Sequence, residues 1–144
     1  MKSRVYADEP HRLQIDGTHN AMRYAPGDAT STLFGGNSER RGPVWFPADV
    51  LSIEALECGH HFHGGELHAE RPTGSGKCLE LRQVAEGLSC RLARLFLPDA
   101  KGARPCRGAD ARFAHDSHWK ELVLFHEYFH GEEGHGLGAS QQTR

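Results

Sequence analysis

The sequence predicts an all-α fold in which helices are joined by long loops. Two stretches, residues 47–62 and 79–97, carry apolar side chains at helical spacing. A third, residues 116–131, is built mainly of good helix formers and reaches a glycine that ends a helix. Three helices of this apolarity cannot cover one another's apolar faces completely. We therefore expect these faces to pack against other parts of a longer polypeptide or against a partner subunit.

Residues 4–43 are predicted to be mostly loop, because Gly and Pro interrupt them throughout and no helical period persists. The first helix is predicted to begin at Pro47, which suits a first helical turn, and to end at Phe62, before a glycine pair. We expect this helix to be buried through an apolar stripe formed by Leu51, Ala55, Cys58 and Phe62.

The second predicted helix, residues 79–97, is amphipathic and stops at Pro98. Residues 99–116, which follow it, are polar and rich in turn residues, and we expect them to shape the rim of a site. The apolar stripe of the helix consists of Leu81, Val84, Ala85, Leu88, Leu92, Leu95 and Phe96.

The last predicted helix begins at Asp116 or Ser117, either of which can cap exposed N–H groups, and runs through WKELVLFHEYF to Gly131. Its LVLF run is also compatible with a buried strand. The length of the segment and its helix formers favour a helix.

Composition narrows the classes of function. The chain has 144 residues, a formal net charge of −2 and no long apolar run, which argues against a membrane span. Its Lys and Arg are mixed with acidic residues, so neither nucleic acid nor membrane is an expected partner. The first residues lack the apolar core of a secretory signal, and four cysteines without a C-x-x-C pair indicate free thiols. We therefore expect a cytoplasmic protein without a cofactor.

His126, Glu127 and His130 form an H-E-x-x-H motif. On a helix, this spacing places two imidazoles on one face to bind zinc, with the glutamate activating a water molecule. The longer form of the motif requires glycine and histidine where this chain has Glu133 and Gly136, so a third ligand is missing. A zinc metallopeptidase using His126-Glu127-x-x-His130 therefore stays an alternative.

Two further segments support a different interpretation. GGNS at residues 35–38 with RGPVWFP at residues 41–47, and FHEYF at residues 125–129 with GLGAS at residues 136–140, occur in that order around a helix-bearing interval. Together they resemble the catalytic domain of glycoside hydrolase family 63, whose relatives include mannosyl-oligosaccharide glucosidases and mannosylglycerate hydrolases. The resemblance implies that residues 1–144 are the C-terminal fragment of an (α/α)6 barrel, without its N-terminal half and extreme C-terminus.

The resemblance also implies a role for each matched residue. Glu127 would be the general base of an inverting hydrolase of α-glucosides, deprotonating the attacking water while a separate acid protonates the leaving oxygen. Asn37, Arg41 and Trp45 would bind the oligosaccharide or small glycoside, with no metal involved. The acid would lie in the missing N-terminal part of the same domain, which makes that part a partner and the isolated chain inactive.

Simpler roles stay open for the same residues. Glu127 also suits a hydrogen-bonded carboxylate at a helix end, and Trp45 suits a core anchor. A non-catalytic module that binds a sugar or a partner is therefore a second alternative, and enzymatic activity is left undecided.

Overall fold

The computed structural model describes residues 6–28 and 42–141. The chain divides into two compact units, the first formed by Met1–Trp45 with Pro105–Arg144 and the second by Phe46–Arg104. Within the described residues, the elements in chain order are β1 (His11–Ile15), β2 (Thr18–Met22), α1 (Phe46–His63), β3 (His68–Glu70), β4 (Cys78–Glu80), α2 (Leu81–Arg94), α3 (Arg112–His115), β5 (His126–Phe129) and β6 (Gly136–Ser140).

The predicted all-α fold is wrong. In the described part of the chain, two longer helices accompany three two-stranded antiparallel sheets, β1–β2, β3–β4 and β5–β6. This is a small mixed α/β architecture, so the predicted fragment of an (α/α)6 barrel is wrong as well.

In the first unit, β1 and β2 form a hairpin where the sequence predicted only loop. Asp16 and Gly17 connect the strands with φ values of 48° and 77°. Asp-Gly suits a two-residue turn of this hand, because glycine adopts positive φ without steric cost. Every residue of β1 is exposed, so the brief alternation of Leu13 and Ile15 with polar residues does not mark a buried face.

The predicted last helix does not form: residues 116–125 are turns and irregular chain, and residues 126–129 form β5 of the β5–β6 hairpin. Tyr128 pairs with Leu137 and Phe129 with Gly136, and Val44 forms an antiparallel bridge with Phe129 on the other side. Val44 and Phe129 exchange both backbone hydrogen bonds, at 2.8 and 2.9 Å.

The strand is favoured over the helix because it buries two consecutive aromatic residues. Tyr128 is 7% exposed and Phe129 1% exposed. The Tyr128 hydroxyl donates a 2.5 Å hydrogen bond to Asp28, so its polar end is satisfied. The partner strand allows this packing through Gly138, at φ 69°, where a Cβ would lie 2.8 Å from the Tyr128 ring.

In the second unit, α1 packs against α2, and both predicted helices are confirmed at slightly different ends. The predicted stripe of α2 supplies the buried side chains Leu81, Val84 and Ala85. The predicted burial of α1 is wrong, because no residue of this helix is buried. Leu51 and Phe62 of its predicted stripe are 66% and 84% exposed.

The face that α1 turns toward α2 is different from the predicted stripe. Ile53 and Leu56 are half-buried, and Gly59 approaches so closely that a Cβ there would lie 3.0 Å from Leu81 Cδ1. A small residue at the contact lets the two helices come close together.

The hairpin of β3 and β4 precedes α2. The Glu70 carboxylate accepts hydrogen bonds from the backbone N–H groups of Gly74 and Gly76, at 2.9 and 2.6 Å, and these bonds lower the pKa of Glu70. Arg71 donates to the Val84 carbonyl at 2.8 Å and so ties the hairpin loop to α2. Neither α1 nor any other helix in residues 6–28 and 42–141 has the length and apolarity to cross a membrane.

Candidate functional site

The first unit contains a pocket of about 410 Å³. It is lined from one side by residues between Cys106 and Trp119, and from the other by Leu124 and by residues of the β5–β6 hairpin. Pockets that bind small molecules have volumes of roughly 300 to 1,000 Å³. Part of the polar connection expected to form a site rim, residues 99–116, therefore contributes a pocket wall.

Two neighbouring aromatic rings lie between two arginines along one wall. The Phe113 and Trp119 rings meet edge to face, with centroids 5.7 Å apart. The Arg107 guanidinium carbon lies 5.5 Å from the Phe113 centroid and that of Arg112 lies 5.4 Å from the Trp119 centroid. Both distances are within the range of a cation–π interaction, so the rings help to hold the two guanidinium groups in place.

The charge of Arg112 is compensated. Its Nε donates to both carboxylate oxygens of Asp110 at 3.0 Å. The side-chain hydrogen bond from Arg112 is the main cause that lowers the pKa of Asp110, so this carboxyl is ionised near neutral pH. The two residues form an exposed ion pair at the pocket, with no net charge.

Arg107 has no such partner among the described residues. Its Nη2 donates to the backbone carbonyls of Lys120 and Leu122, the latter at 3.1 Å. These carbonyls accept hydrogen bonds from the guanidinium, but they carry no negative charge that could neutralise it. Within residues 6–28 and 42–141, Arg107 forms no ion pair, and its Nε is buried without a hydrogen-bond acceptor. The Arg107 charge is therefore left for a ligand to compensate.

His126 contributes a neutral imidazole to the opposite wall. Burial lowers the pKa of His126, an effect that the backbone of Leu124 opposes only in part. Its Nδ1 is buried and has no hydrogen-bond partner of good geometry in the described part of the chain. Gly136 packs against this nitrogen so closely that a Cβ there would lie 2.1 Å away. The pocket thus depends on glycine at position 136.

Of the residues predicted to bind or transform a sugar, Glu127 and Trp45 do not line this pocket. Glu127 lies exposed on β5 with its carboxylate against Gly138, where a Cβ would lie 2.9 Å from Oε2. Trp45 is half-buried next to the Val44 bridge. Asn37 and Arg41 lie outside the described residues.

The H-E-x-x-H motif does not lie on a helix. His126 and Glu127 belong to β5, and His130 follows the strand directly. Four residues of extended chain span about 13 Å, against about 6 Å for one helical turn. The two imidazoles therefore do not have the arrangement that a zinc peptidase requires.

A second histidine cluster lies in the turn after β5. The donor atoms of His130, Glu133 and His135 lie within 4.8 Å of one another, which suggests a metal site. However, His130 Nδ1 accepts hydrogen bonds from the backbone N–H groups of Glu132 and Glu133, at 3.4 and 3.1 Å. In a neutral imidazole this places the proton on Nε2, which leaves no lone pair for a metal.

The ring directions in this cluster lead to the same conclusion. The His130 and His135 rings stack with centroids 4.7 Å apart and planes inclined by 16°. Imidazole lone pairs lie in the ring plane, so nearly parallel stacked rings cannot both point at one ion. His135 Nδ1 instead lies 3.1 Å from the Glu133 carboxylate. In this arrangement the cluster stabilises a turn and does not fit a bound metal.

No motif in the sequence marks the residues that give the pocket its character. Arg107 and Phe113 come from the polar connection, Trp119 comes from the predicted last helix, and each looks ordinary in isolation. Only the fold brings them opposite His126 and Gly136. The one available signal was that three arginines, at positions 104, 107 and 112, are followed closely by Phe113 and Trp119.

No family model matches the chain, and no solved structure matches it. The chain is similar to a protein of Saccharomyces cerevisiae named "Uncharacterized protein YMR196W", with 40% identity over 142 residues. The match covers 97% of this chain and spans 13% of the length of the yeast relative. The name of the relative states no activity. The expected place in glycoside hydrolase family 63, with its hydrolase activity and toroidal barrel, is therefore wrong, because neither the comparisons nor the fold supports it.

Proposed function

We propose that the first unit is a binding module for a small organic molecule, which occupies the pocket between Cys106 and Ser140. The observation that carries this proposal is the composition of the pocket of about 410 Å³. The uncompensated guanidinium of Arg107 shares a wall with the half-buried ring of Trp119. Small-molecule sites typically combine apolar and aromatic walls with a few polar groups that orient the ligand.

The contacts of the pocket support binding with little rearrangement. The Arg107 guanidinium is held by two backbone carbonyls and by the Phe113 ring. Trp119 is held by an edge-to-face contact with Phe113 and by the Arg112 guanidinium over its ring. Side chains that are already ordered lose less conformational entropy on binding a ligand, which favours affinity.

Ligand-observed NMR tests the proposal on the 144-residue chain. Saturation transfer from protein to probe is measured separately for benzoate, benzamide and glucose. We expect transfer to the two aromatic probes, because their rings pack against Trp119 and Leu124. Trp119→Leu should remove most of this transfer, and Trp119→Phe should retain part of it by keeping the edge contact with Phe113.

The control variant is Arg82→Gln, which changes an exposed ion pair with Glu86 in the second unit and should leave the transfer unchanged. Transfer that is equal in wild type and Trp119→Leu would place the probes elsewhere and contradict the proposal. Transfer to glucose alone would instead favour the sugar-binding module.

A further inference from the structure

The charges around the pocket do not cancel. Arg112 and Asp110 neutralise each other through paired hydrogen bonds at 3.0 Å. His126 is neutral near pH 7 because burial disfavours its charged form. Arg107 therefore leaves one net positive charge on the described pocket wall. A half-buried charge without a counter-ion is unfavourable, and a ligand of opposite charge removes this cost.

Arg107 is also held in a fixed orientation. Its Nη2 bonds the carbonyls of Lys120 and Leu122, and its guanidinium carbon lies 5.5 Å from the Phe113 centroid. Its Nε is buried without a hydrogen-bond partner among the described residues, and the described hydrogen bonds of the guanidinium all come from Nη2. A guanidinium that is ordered before binding gives a directional contact with a carboxylate, at a smaller entropic cost than a free surface arginine.

The other lining residues determine the rest of the ligand. Trp119, Leu124 and Phe113 provide apolar surface. An anion without an apolar part, such as inorganic phosphate, would leave this surface uncovered. A neutral apolar ligand would leave the charge of Arg107 without a counter-ion.

Building on the proposed binding function, we propose that the natural ligand is a small organic monoanion. Its carboxylate bonds the Arg107 guanidinium, and its ring-sized apolar body lies against Trp119 and Leu124.

The experiment compares benzoate with benzamide, which has the same ring but no charge. Dissociation constants are measured on the 144-residue chain by ¹H–¹⁵N chemical-shift titration. We expect benzoate to bind at least about tenfold more tightly, since one charge-assisted hydrogen bond changes affinity by roughly tenfold to a hundredfold. Arg107→Gln should weaken benzoate binding by a similar factor and leave benzamide nearly unchanged. Arg107→Lys, which keeps the charge but loses the planar fork, should fall between them.

Arg82→Gln is the matched control, because it lowers the net charge by the same amount in the second unit and should not change the benzoate affinity. The comparison of benzoate with benzamide in the wild-type chain does not depend on any variant folding. Equal dissociation constants, with both probes shifting pocket resonances, would overturn the anion inference and leave the binding proposal intact. If neither probe shifts the pocket resonances, both proposals are wrong.

Discussion

The imidazole of His126 is half-buried at the start of β5, with Gly136 packed against its Nδ1. In the sequence, this histidine is a candidate zinc ligand, because it belongs to H-E-x-x-H, a motif that binds zinc when it lies on a helix. The structure gives it another role, as an uncharged part of a pocket wall. A motif match predicts chemistry only if the backbone has the geometry that the motif assumes. Here the backbone is a strand, which buries the consecutive side chains of Tyr128 and Phe129 on its two faces.

The lowered pKa of His126 makes a prediction about stability and pH. Near neutral pH the folded state keeps His126 neutral, whereas in the unfolded chain its pKa returns to the usual value of about 6.5. Below that value the unfolded state binds more protons, so the stability due to neutral His126 is full above about pH 6.5 and is lost as the pH falls toward the folded pKa. His126→Gln should therefore lose less free energy of unfolding than wild type between about pH 7 and about pH 5.

Urea unfolding at both pH values measures this difference. The exposed His19 serves as the control, because His19→Gln should leave the pH dependence of wild type unchanged. A pH dependence in His126→Gln as steep as in wild type would show that burial does not hold this imidazole neutral.

At the scale of secondary-structure elements, the sequence predicted best those elements whose apolar residues recur most regularly. α2 has an uninterrupted apolar stripe, and its buried residues Leu81, Val84 and Ala85 all belong to the predicted set. α1 was predicted as a helix correctly, but its buried face was assigned wrongly. Leu51 and Phe62 fit one helical stripe, yet Ile53 and Leu56 on another face lie toward α2, and sequence spacing alone does not choose between two stripes.

The short strands could not be predicted from the spacing of apolar residues. β3, β4 and β5 have three or four residues each, which is too few to establish an alternation. β5 also follows the LVLF run, whose residues suit either a strand or a helix. Its bridge to Val44 depends on a residue far along the chain, which no local pattern contains.

The start of α2 offers a test of element stability. The backbone N–H of Glu80 donates a 3.0 Å hydrogen bond to Gln83 Oε1, which satisfies a donor that the helix itself leaves free. Gln83→Ala should lower the free energy of unfolding by about 0.5 to 1 kcal/mol, and urea denaturation followed by circular dichroism measures it. Gln83→Glu keeps an acceptor oxygen at the same place and should stay close to wild type. An equal loss in both variants would mean that this hydrogen bond does not stabilise the helix.

At the scale of the whole molecule, both units leave large apolar side chains exposed. Phe62 and Leu97 are 84% and 56% exposed in the second unit, and Phe125 is 53% exposed in the first. Only Phe62 of these residues lies on a described helix, and the expectation that the helices cannot cover one another's apolar faces stays a prediction. The matched region makes up 13% of the length of the yeast relative. The pocket, by contrast, is formed by residues of the first unit alone, so the binding proposal can be tested on this chain.

The chemical-shift map of benzoate binding tests the central claim most directly. We expect saturable shifts for the backbone amides of His126, Gly136 and Ser140 and for the Trp119 indole N–H. Saturable shifts confined to residues of Phe46–Arg104, or no saturable shifts at all, would contradict the claim that the first unit binds a small molecule.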